Sequence, residues 1–294
     1  MSVLLIKIMA REKNYKIIVD GRTSHTEWSL VDGTKVVEHA MTQGLNPYFL
    51  TRREISHVIR LEVPAAFFKR RWKHVCYYGS GCSSAEKKKL MEASLIAQFK
   101  TPTSVHSDLE GTARGLLNHE PGLACILGSG SNSCFYDGEK IVKNVRPLGF
   151  ILGDEGSGAQ LGRLFLGDCL KGFAPQELCE QFFEEYKVTD EAIMDSVYNN
   201  PRASSNLNQY AKFLAEHLAD DYVRELVTNE MARFFERNIL QYDYKSYPVS
   251  FAGSVACSFT EVLTELASRY GVTIKKVVRN VMPGLIAYHA EEEE

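Results

Sequence analysis

The chain has 294 residues, of which 45% are hydrophobic and 24% charged, and its formal net charge is −3. A chain of this length exceeds a typical single domain and can bury a full core, so we expect two lobes. Its basic residues are dispersed and balanced by acidic ones, which argues against a nucleic-acid partner. The seven cysteines include no Cys-x-x-Cys pair. We therefore expect neither a zinc cage nor a disulfide framework, but reduced thiols in a cytoplasmic protein.

The amino terminus carries a short apolar run, SVLLIKIMA, that could pass for a signal segment. Lys7 interrupts this run, and no clear small-residue cleavage site follows it. No stretch of the chain is long enough to span a membrane, so we expect neither export nor a membrane partner. We interpret residues 1–14 as an extension, with Met9 as an alternative start.

The first half of the chain predicts three antiparallel strands followed by helices and a further strand. Residues 16–21 are an apolar run that ends in Asp-Gly, and residues 26–42 alternate around Asp32-Gly33, a strong hairpin signal. The elements predicted after them are a helix over 51–69, a buried strand over 74–79, and helices over 84–99 and 109–118.

The second half repeats this opening. LACILG predicts a strand, a hairpin follows around Asp137-Gly138, and a helix begins near Ser157. The later predicted elements are helices over 175–186, 190–198, 206–218 and 222–240, a strand over 248–254, a helix over 257–270, a strand over 272–278 and a closing helix from about Pro283. Two such openings, each followed by helices, predict an α/β protein of two related lobes with a cleft between them.

Two glycine-rich segments carry the chemistry: ACILGSGSNSCFYDG at 124–138 and FILGDEGSG at 150–158. Glycine and serine at this density allow backbone N–H groups to approach a ligand closely. Asp154 and Glu155 lie within the second segment, so the pair indicates phosphate on one side and hydroxyls on the other. The combination predicts phosphoryl transfer to a polyol.

The order of motifs resembles that of the actin-like sugar kinase superfamily, and within it the N-acetylglucosamine kinase-like (BadF/BadG-type) family. The matching segments are DGRTSHTEWSL, GLNP, YYGSGC, SDLEGTARG, ILGSGSNS, PLGFILGDEGSGAQLGR and FAGSVA, which together span nearly the whole chain. The resemblance implies a two-lobed actin-like ATPase (ribonuclease H-like) fold with a central nucleotide and sugar cleft. It also implies that ATP and Mg²⁺ bind there and that the γ-phosphoryl group passes to a sugar hydroxyl.

We expect a small amino-terminal lobe over 15–118, on which the closing helix 284–294 packs, and a large lobe over 119–283. Asp108 alone would be read as a helix N-cap, for which Asp is a preferred residue. Its place in SDLEGTARG matches the family's catalytic aspartate, which would accept the proton of the attacking hydroxyl.

The resemblance assigns the remaining site residues to two ligands. The residues assigned to the nucleotide and its phosphates are Asp20, Ser24, Thr26, Gly128, Ser129, Gly130, Gly253 and Ser254, and those assigned to the sugar are Asn46, Asn132, Gly153, Asp154 and Glu155. Asp20 is also the candidate for an indirect contact with Mg²⁺. Simpler interpretations exist, because glycines are common in turns and acidic residues at helix N-termini.

The first phosphate loop departs from the family pattern of Asp-x-Gly-x-Thr-Lys-Thr-Asp-Trp. Here the segment reads DGRTSHTEW from Asp20 to Trp28, so that Arg22 replaces a glycine and His25 a basic residue. The Arg22 side chain either obstructs the loop or contacts phosphate through its guanidinium. The sequence leaves both alternatives open.

Three functions follow from these observations. The first is an ATP-dependent kinase for an amino sugar, N-acetylglucosamine or a related hexosamine such as N-acetylmuramic acid. The second is a non-catalytic sugar or nucleotide sensor with a degenerate first phosphate loop. The third is a dehydratase-activator ATPase, which would need cysteines that bridge an iron–sulfur cluster, and Cys125 and Cys134 do not resemble that pattern. The sequence leaves open the sugar, its reacting hydroxyl and the oligomeric state, although dimers are common among relatives.

Overall fold

The computed structural model describes residues 15–69, 71–200 and 202–291. They form two compact units: unit 1 contains the chain up to His119 and again from Val281, and unit 2 contains Glu120–Asn280. Each unit contains one five-stranded sheet. The extension predicted over residues 1–14 lies outside the described residues.

Unit 1 is built on a mixed sheet. Its strands are β1 (Tyr15–Gly21), β2 (His25–Asp32), β3 (Lys35–Gln43), β4 (His74–Gly79) and β5 (Thr103–Ser107). They lie in the order β3-β2-β1-β4-β5, with β1, β2 and β3 antiparallel and β1, β4 and β5 parallel. The carboxyl ends of the three parallel strands therefore share one edge of the sheet. The antiparallel strands agree with the prediction, whereas β5 is an addition, because its sequence TSVHS contains no apolar run.

The helices of unit 1 are α1 (Arg52–Glu62), α2 (Ala85–Phe99), α3 (Asp108–Leu117) and α13 (Met282–Glu291). The helix predicted over 51–69 ends early, because Pro64 disfavours a helical backbone at Val63, which is extended. A 3₁₀ turn over Ala65–Phe68 follows. At the other end of the chain, α13 packs on α3 and β1.

Unit 2 repeats the sheet of unit 1. Its strands are β6 (Gly122–Leu127), β7 (Ser131–Tyr136), β8 (Ile141–Val145), β9 (Val249–Ala252) and β10 (Ile274–Val278). Their order is β10-β9-β6-β7-β8, with β6, β7 and β8 antiparallel and β6, β9 and β10 parallel. The two sheets thus have the same topology, in agreement with the repeated strand-and-hairpin opening.

The helices of unit 2 lie between these strands. They are α4 (Gly149–Leu152), α5 (Gly158–Lys171), α6 (Gln176–Tyr186), α7 (Asp190–Tyr198), α8 (Ala203–Asn208), α9 (Ala211–Glu216), α10 (Asp221–Arg237), α11 (Ser254–Ser258) and α12 (Thr260–Tyr270). Two predicted helices are each divided in two, next to Tyr210 and at Phe259, and both aromatic rings are buried in the core. Within the described part of the chain, no helix is both long and apolar enough to cross a bilayer.

One expectation from the cysteines is wrong. Cys169 near the end of α5 and Cys179 in α6 form a disulfide, with their Cα atoms 5.8 Å apart. The turn between the two helices brings the sulfurs together, and a spacing of ten residues matches no short motif that could have indicated the bond. The other five cysteines form no disulfide.

Candidate active site

The loop after β1 is a tight turn whose own side chains hold it. The N–H of Arg22 donates to the carbonyl of His25 at 2.8 Å, which closes the turn between β1 and β2. The guanidinium of Arg22 folds back on Asp20, with Nε 3.0 Å and Nη2 2.9 Å from Oδ2. Asp20 is only 4% exposed. Arg22 is therefore engaged with the carboxylate that ends its own strand.

The other predicted residues of this loop are also engaged within it. The Ser24 Oγ lies 2.9 Å from the His25 Nδ1. Burial, and after it the charge of Arg22, lowers the pKa of His25, so that the imidazole is neutral at pH 7. Thr26 is fully buried, and its hydroxyl accepts the N–H of Leu45 at 3.2 Å. The buried Thr26 side chain thus connects the loop to the backbone at Leu45, and His25 supplies no positive charge.

Asn46 joins this loop to the GLNP segment. Its Nδ2 donates to the Thr23 hydroxyl at 3.2 Å, and its Oδ1 accepts the N–H of Tyr48 at 2.9 Å. The side chain is buried. The amide therefore has a fixed orientation, with one hydrogen bond on each of its polar atoms.

Asp108 lies at the same sheet edge, directly after β5. It is the first residue of α3, and the N-cap is Ser107, whose side chain accepts the N–H of Glu110. The interpretation of Asp108 as an N-cap is therefore wrong. Its Oδ2 accepts the hydroxyl of Ser80 at 2.9 Å, and its Oδ1 accepts the N–H of Leu109 at 2.9 Å.

The environment of Asp108 favours proton transfer. Burial raises the pKa of this carboxyl above its usual range, and the hydrogen bond from Ser80 opposes the increase. The charge of Asp20 raises the pKa further, and that of Arg22 lowers it. A half-buried carboxyl with a raised pKa is a candidate general base. Ser80 was not among the predicted site residues, although it lies in the YYGSGC segment directly after β4.

In unit 2, Gly128, Ser129 and Gly130 form the turn between β6 and β7, as predicted. The carbonyls of Gly128 and Ser129 accept the N–H groups of Gly158 and Ala159 at 2.8 and 3.3 Å, which fixes the turn to the start of α5. A Cβ added at Gly128 would meet no atom within 4 Å. The turn is thus fixed on one side and open on the other, as a phosphate-binding loop must be.

Gly253 packs directly against this turn. Its φ of +127° is a conformation that favours glycine, and an added Cβ would lie 2.1 Å from the Leu127 carbonyl oxygen. The same Cβ would lie 3.4 Å from the Gly128 nitrogen. Ser254 follows as the first residue of α11 and is exposed. The predicted adenosine loop and phosphate turn are therefore neighbours within unit 2.

Asp154 also lies beside the phosphate turn. A Cβ added at Gly130 would lie 3.0 Å from its Oδ2, and the backbone of Ser131 donates a hydrogen bond to its carboxylate. Asp154 has a left-handed backbone with φ +55°, and its N–H donates to the Pro147 carbonyl at 2.9 Å. Burial raises its pKa to about 6, and the charge of Glu155 contributes to the increase. A Cβ at Gly153 would clash with the same Pro147 carbonyl, at 2.0 Å.

Helix α10 supplies partners that the sequence did not reveal. Arg237 pairs with Glu155, with Nε 2.6 Å from Oε1. Glu230, only 1% exposed, accepts the N–H of Gly156 at 3.1 Å and pairs with Arg233 at 2.8 Å. No described Lys or Arg pairs with Asp154. Glu155 is therefore neutralised by α10, whereas Asp154 keeps an uncompensated carboxylate.

Asn132 is fixed through its amide oxygen. This Oδ1 accepts hydrogen bonds from the Nδ2 of Asn144 at 2.9 Å and from the N–H of Ser133 at 2.9 Å.

Unit 1 brings Asp20, Ser80 and Asp108 together at one sheet edge. The predicted residues that meet in unit 2 are Gly128, Ser129, Gly130, Asp154 and Gly253. Over the described ranges, no group of three or more His, Cys, Asp or Glu residues is arranged to hold a metal ion.

Comparison with known proteins gave matches among solved structures only. No family model matches the chain, and no curated protein matches it. A proposed N-acetylglucosamine kinase from Porphyromonas gingivalis is 39% identical, with a TM-score of 0.90, over 95% of this chain and 99% of that one. A second, from Chromobacterium violaceum, is 16% identical, with a TM-score of 0.71, over 94% and 99%.

A ROK family glucokinase from Streptomyces griseus, solved with glucose and AMPPNP, is 13% identical to this chain. Its TM-score is 0.58, and the match covers 93% of this chain and 97% of that one. At identities this low, the second and third matches show the fold alone. Together the three matches confirm the predicted α/β, two-lobed actin-like fold.

Proposed function

Because the chain belongs to the family of N-acetylglucosamine kinase-like proteins with the actin-like sugar kinase fold, we propose that it is an ATP-dependent amino-sugar kinase. The acceptor we propose is N-acetylglucosamine or a related hexosamine such as N-acetylmuramic acid. The observation that carries the proposal is Asp108, a carboxyl with a raised pKa that Ser80 holds at the carboxyl edge of the parallel strands.

Asp108 acts as the general base. Its carboxylate accepts the proton of the sugar hydroxyl as that oxygen forms a bond to the γ-phosphorus, and the bond from the phosphorus to the ADP oxygen breaks. Bound ATP supplies the phosphoryl group. Ser80 and the N–H of Leu109 hold one carboxylate oxygen each, so the base has a fixed orientation before the substrate arrives.

Unit 2 binds the phosphates and the sugar. The turn of Gly128, Ser129 and Gly130 is open at Gly128 and fits phosphate, with backbone N–H groups and one hydroxyl as donors. Gly253 and Ser254 border the nucleotide next to it. The Asp154 carboxylate accepts a hydrogen bond from a sugar hydroxyl, since it has no cationic partner among the described residues.

The remaining predicted contacts to the sugar are Asn132, Gly153 and Glu155 of unit 2 and Asn46 of unit 1. Thr26 of unit 1 has a supporting role in the first phosphate loop, because its hydroxyl is already bonded to Leu45. Ser24, in the same loop, remains a candidate phosphate contact.

Arg22 disfavours direct coordination of Mg²⁺ by the Oδ2 of Asp20, whereas the indirect contact predicted for Asp20 stays a prediction. The Oδ2 of Asp20 is taken by two nitrogens of Arg22. The described residues also contain no cluster of three potential ligands. We assign no step to a metal held by Asp20. Any Mg²⁺ in the reaction would enter on the nucleotide phosphates, as it commonly does in phosphoryl transfer.

ADP release with a panel of sugars tests the proposal. The panel is N-acetylglucosamine, N-acetylmuramic acid, glucosamine and glucose, and we expect turnover with at least one amino sugar. Asp108→Asn should lower kcat by about 10² to 10⁴, because it removes the base. Asp221→Asn, at an exposed position of α10, is the matched control and should leave turnover unchanged. Absence of ADP release with every sugar would refute the proposal.

The Arg22–Asp20 pair favours a second candidate, a sensor that binds sugar without turning over ATP. Calorimetry that detects sugar binding but no ATP binding would support it. The dehydratase-activator alternative gains no support. Cys125 and Cys134 are buried in strands β6 and β7, and burial raises the pKa of Cys134 to about 12, contrary to what a thiolate ligand needs.

A further inference from the structure

The guanidinium of Arg22 places a positive charge next to the end of β1. Two nitrogens of Arg22 lie 2.9 and 3.0 Å from one oxygen of Asp20, a carboxylate that is almost fully buried. A buried carboxylate requires a compensating partner. A guanidinium stays charged at any physiological pH, so it provides that compensation permanently.

The backbone holds this pair in place. The N–H of Arg22 is bonded to the His25 carbonyl, and the carbonyl of Gly21 accepts the N–H of Ser80 at 2.7 Å. These two hydrogen bonds fix the backbone at Gly21 and Arg22. The Arg22 side chain therefore starts from a fixed position within reach of the Asp20 carboxylate.

We infer that Arg22 is an internal counter-ion that takes the place of a divalent cation at Asp20. A metal ion at Oδ2 of Asp20 would have to displace the guanidinium, and a metal ion at Oδ1 would lie close to the guanidinium charge beside a nearly buried carboxylate. Repulsion at such short range is strong away from bulk water. The inference deepens the proposed kinase function and rests on it. It assigns the positive charge at the carboxyl end of β1 to the Arg22 side chain.

Mn²⁺ binding to the full chain, without nucleotide or sugar, tests the inference. We expect weak binding to the wild type and an affinity about tenfold tighter or more in Arg22→Ala, because the competing charge is gone. Arg22→Gln removes the charge while keeping a polar side chain, and it should behave in the same way. Arg22→Lys should keep the weak binding. The gain in Arg22→Ala should disappear when Asp20→Asn is added.

Arg53→Ala is the matched control, because it removes one positive charge from an exposed position of α1 in the same unit. It should leave Mn²⁺ binding unchanged, and circular dichroism confirms that each variant is folded. Equal Mn²⁺ affinity in the wild type and in both uncharged variants would overturn the inference. So would tight wild-type binding that Asp20→Asn abolishes. Neither result depends on sugar phosphorylation, so failure here is distinct from failure of the proposed function.

Discussion

Two opposing influences set the basicity of Asp108: burial raises its pKa, and the hydroxyl of Ser80 lowers it by bonding to the charged form. Ser80→Ala removes only the second, so the pKa of Asp108 should rise. Since the proposed base must be deprotonated to act, the acid limb of the kcat/KM profile should move to higher pH. A pH–rate profile measures this, with Ser83→Ala at an exposed position as the control. An unmoved limb would show that Ser80 does not influence the base.

Asp154 should reduce stability in its charged form. Its pKa is raised from 3.8 to about 6, so between these values the folded state binds the proton that the unfolded state releases. Stability therefore falls as pH rises through this window, and the loss is complete above pH 6. Asp154→Asn avoids it, and Asn tolerates the left-handed backbone.

We accordingly expect Asp154→Asn to be more stable than the wild type at pH 7.5, by on the order of 2 kcal/mol, and nearly equal to it at pH 4. Thermal unfolding followed by circular dichroism at both pH values measures the difference. The same variant should bind sugar more weakly, since it loses the unpaired acceptor. A variant less stable than the wild type at pH 7.5 would contradict this account.

At the scale of single residues, local motifs indicated the candidate catalytic and binding groups but not the side chains that contact them. Asp108 and the glycines at 128 and 130 belong to short, recognisable segments. Glu230 and Arg237 lie in a helix far along the chain, and no local pattern connects them to Gly156 or Glu155. Arg22 was conspicuous in the sequence, yet only its position in the turn shows that it pairs with Asp20.

Helix α10 contacts the loop of residues 153–158 through Glu230. This carboxylate is buried, accepts the N–H of Gly156 and pairs with Arg233. Glu230→Ala would remove the acceptor of the Gly156 N–H and the ion-pair partner of Arg233. The unfolding free energy should fall by about 1 to 3 kcal/mol. Since Gly156 follows Asp154 and Glu155, the KM for the sugar should rise more than kcat falls.

Urea unfolding and steady-state kinetics together test this role. Glu225→Ala, on the exposed side of the same helix, is the control and should change neither quantity. Glu230→Gln can still accept the Gly156 N–H and should restore much of the sugar affinity. If Glu230→Ala lowers stability but leaves KM unchanged, the residue is structural only.

At the scale of elements, hairpin signals were more reliable than helix boundaries. Asp32-Gly33 and Asp137-Gly138 both mark turns between antiparallel strands, as predicted. The helix predicted over 206–218 is interrupted next to Tyr210, whose ring packs in the core cluster of unit 2. Tertiary packing of this kind overrides local propensity and leaves no periodic signal.

For the molecule as a whole, the chain completes unit 1 only at its end. Helix α13 lies more than 160 positions after α3 in the sequence, and yet it packs on α3 and β1. Local patterns predict that such a helix exists, but they contain no information on which sheet it covers. The two sheets share one topology, and each unit has its own hydrophobic core.

The contact between α13 and α3 depends on Gly284. A Cβ added there would lie 1.8 Å from the carbonyl oxygen of Gly115, which is backbone and cannot yield easily. Gly284→Ala should therefore force the helices apart and destabilise unit 1 by about 1 to 3 kcal/mol. Both tryptophans, Trp28 and Trp72, lie in unit 1, so tryptophan fluorescence during urea unfolding reports this loss directly.

Gly167→Ala makes the same chemical change inside α5, where an added Cβ meets nothing within 4 Å. The urea midpoint of the fluorescence transition should not fall in this variant. The stability of helix α5 should rise by about 0.5 to 1 kcal/mol, because alanine has a higher helix propensity than glycine. A transition for Gly284→Ala at or above that of the wild type would mean that α13 does not pack this closely. A lowered transition in Gly284→Ala alone separates the close contact between α3 and α13 from any general effect of replacing glycine in a helix.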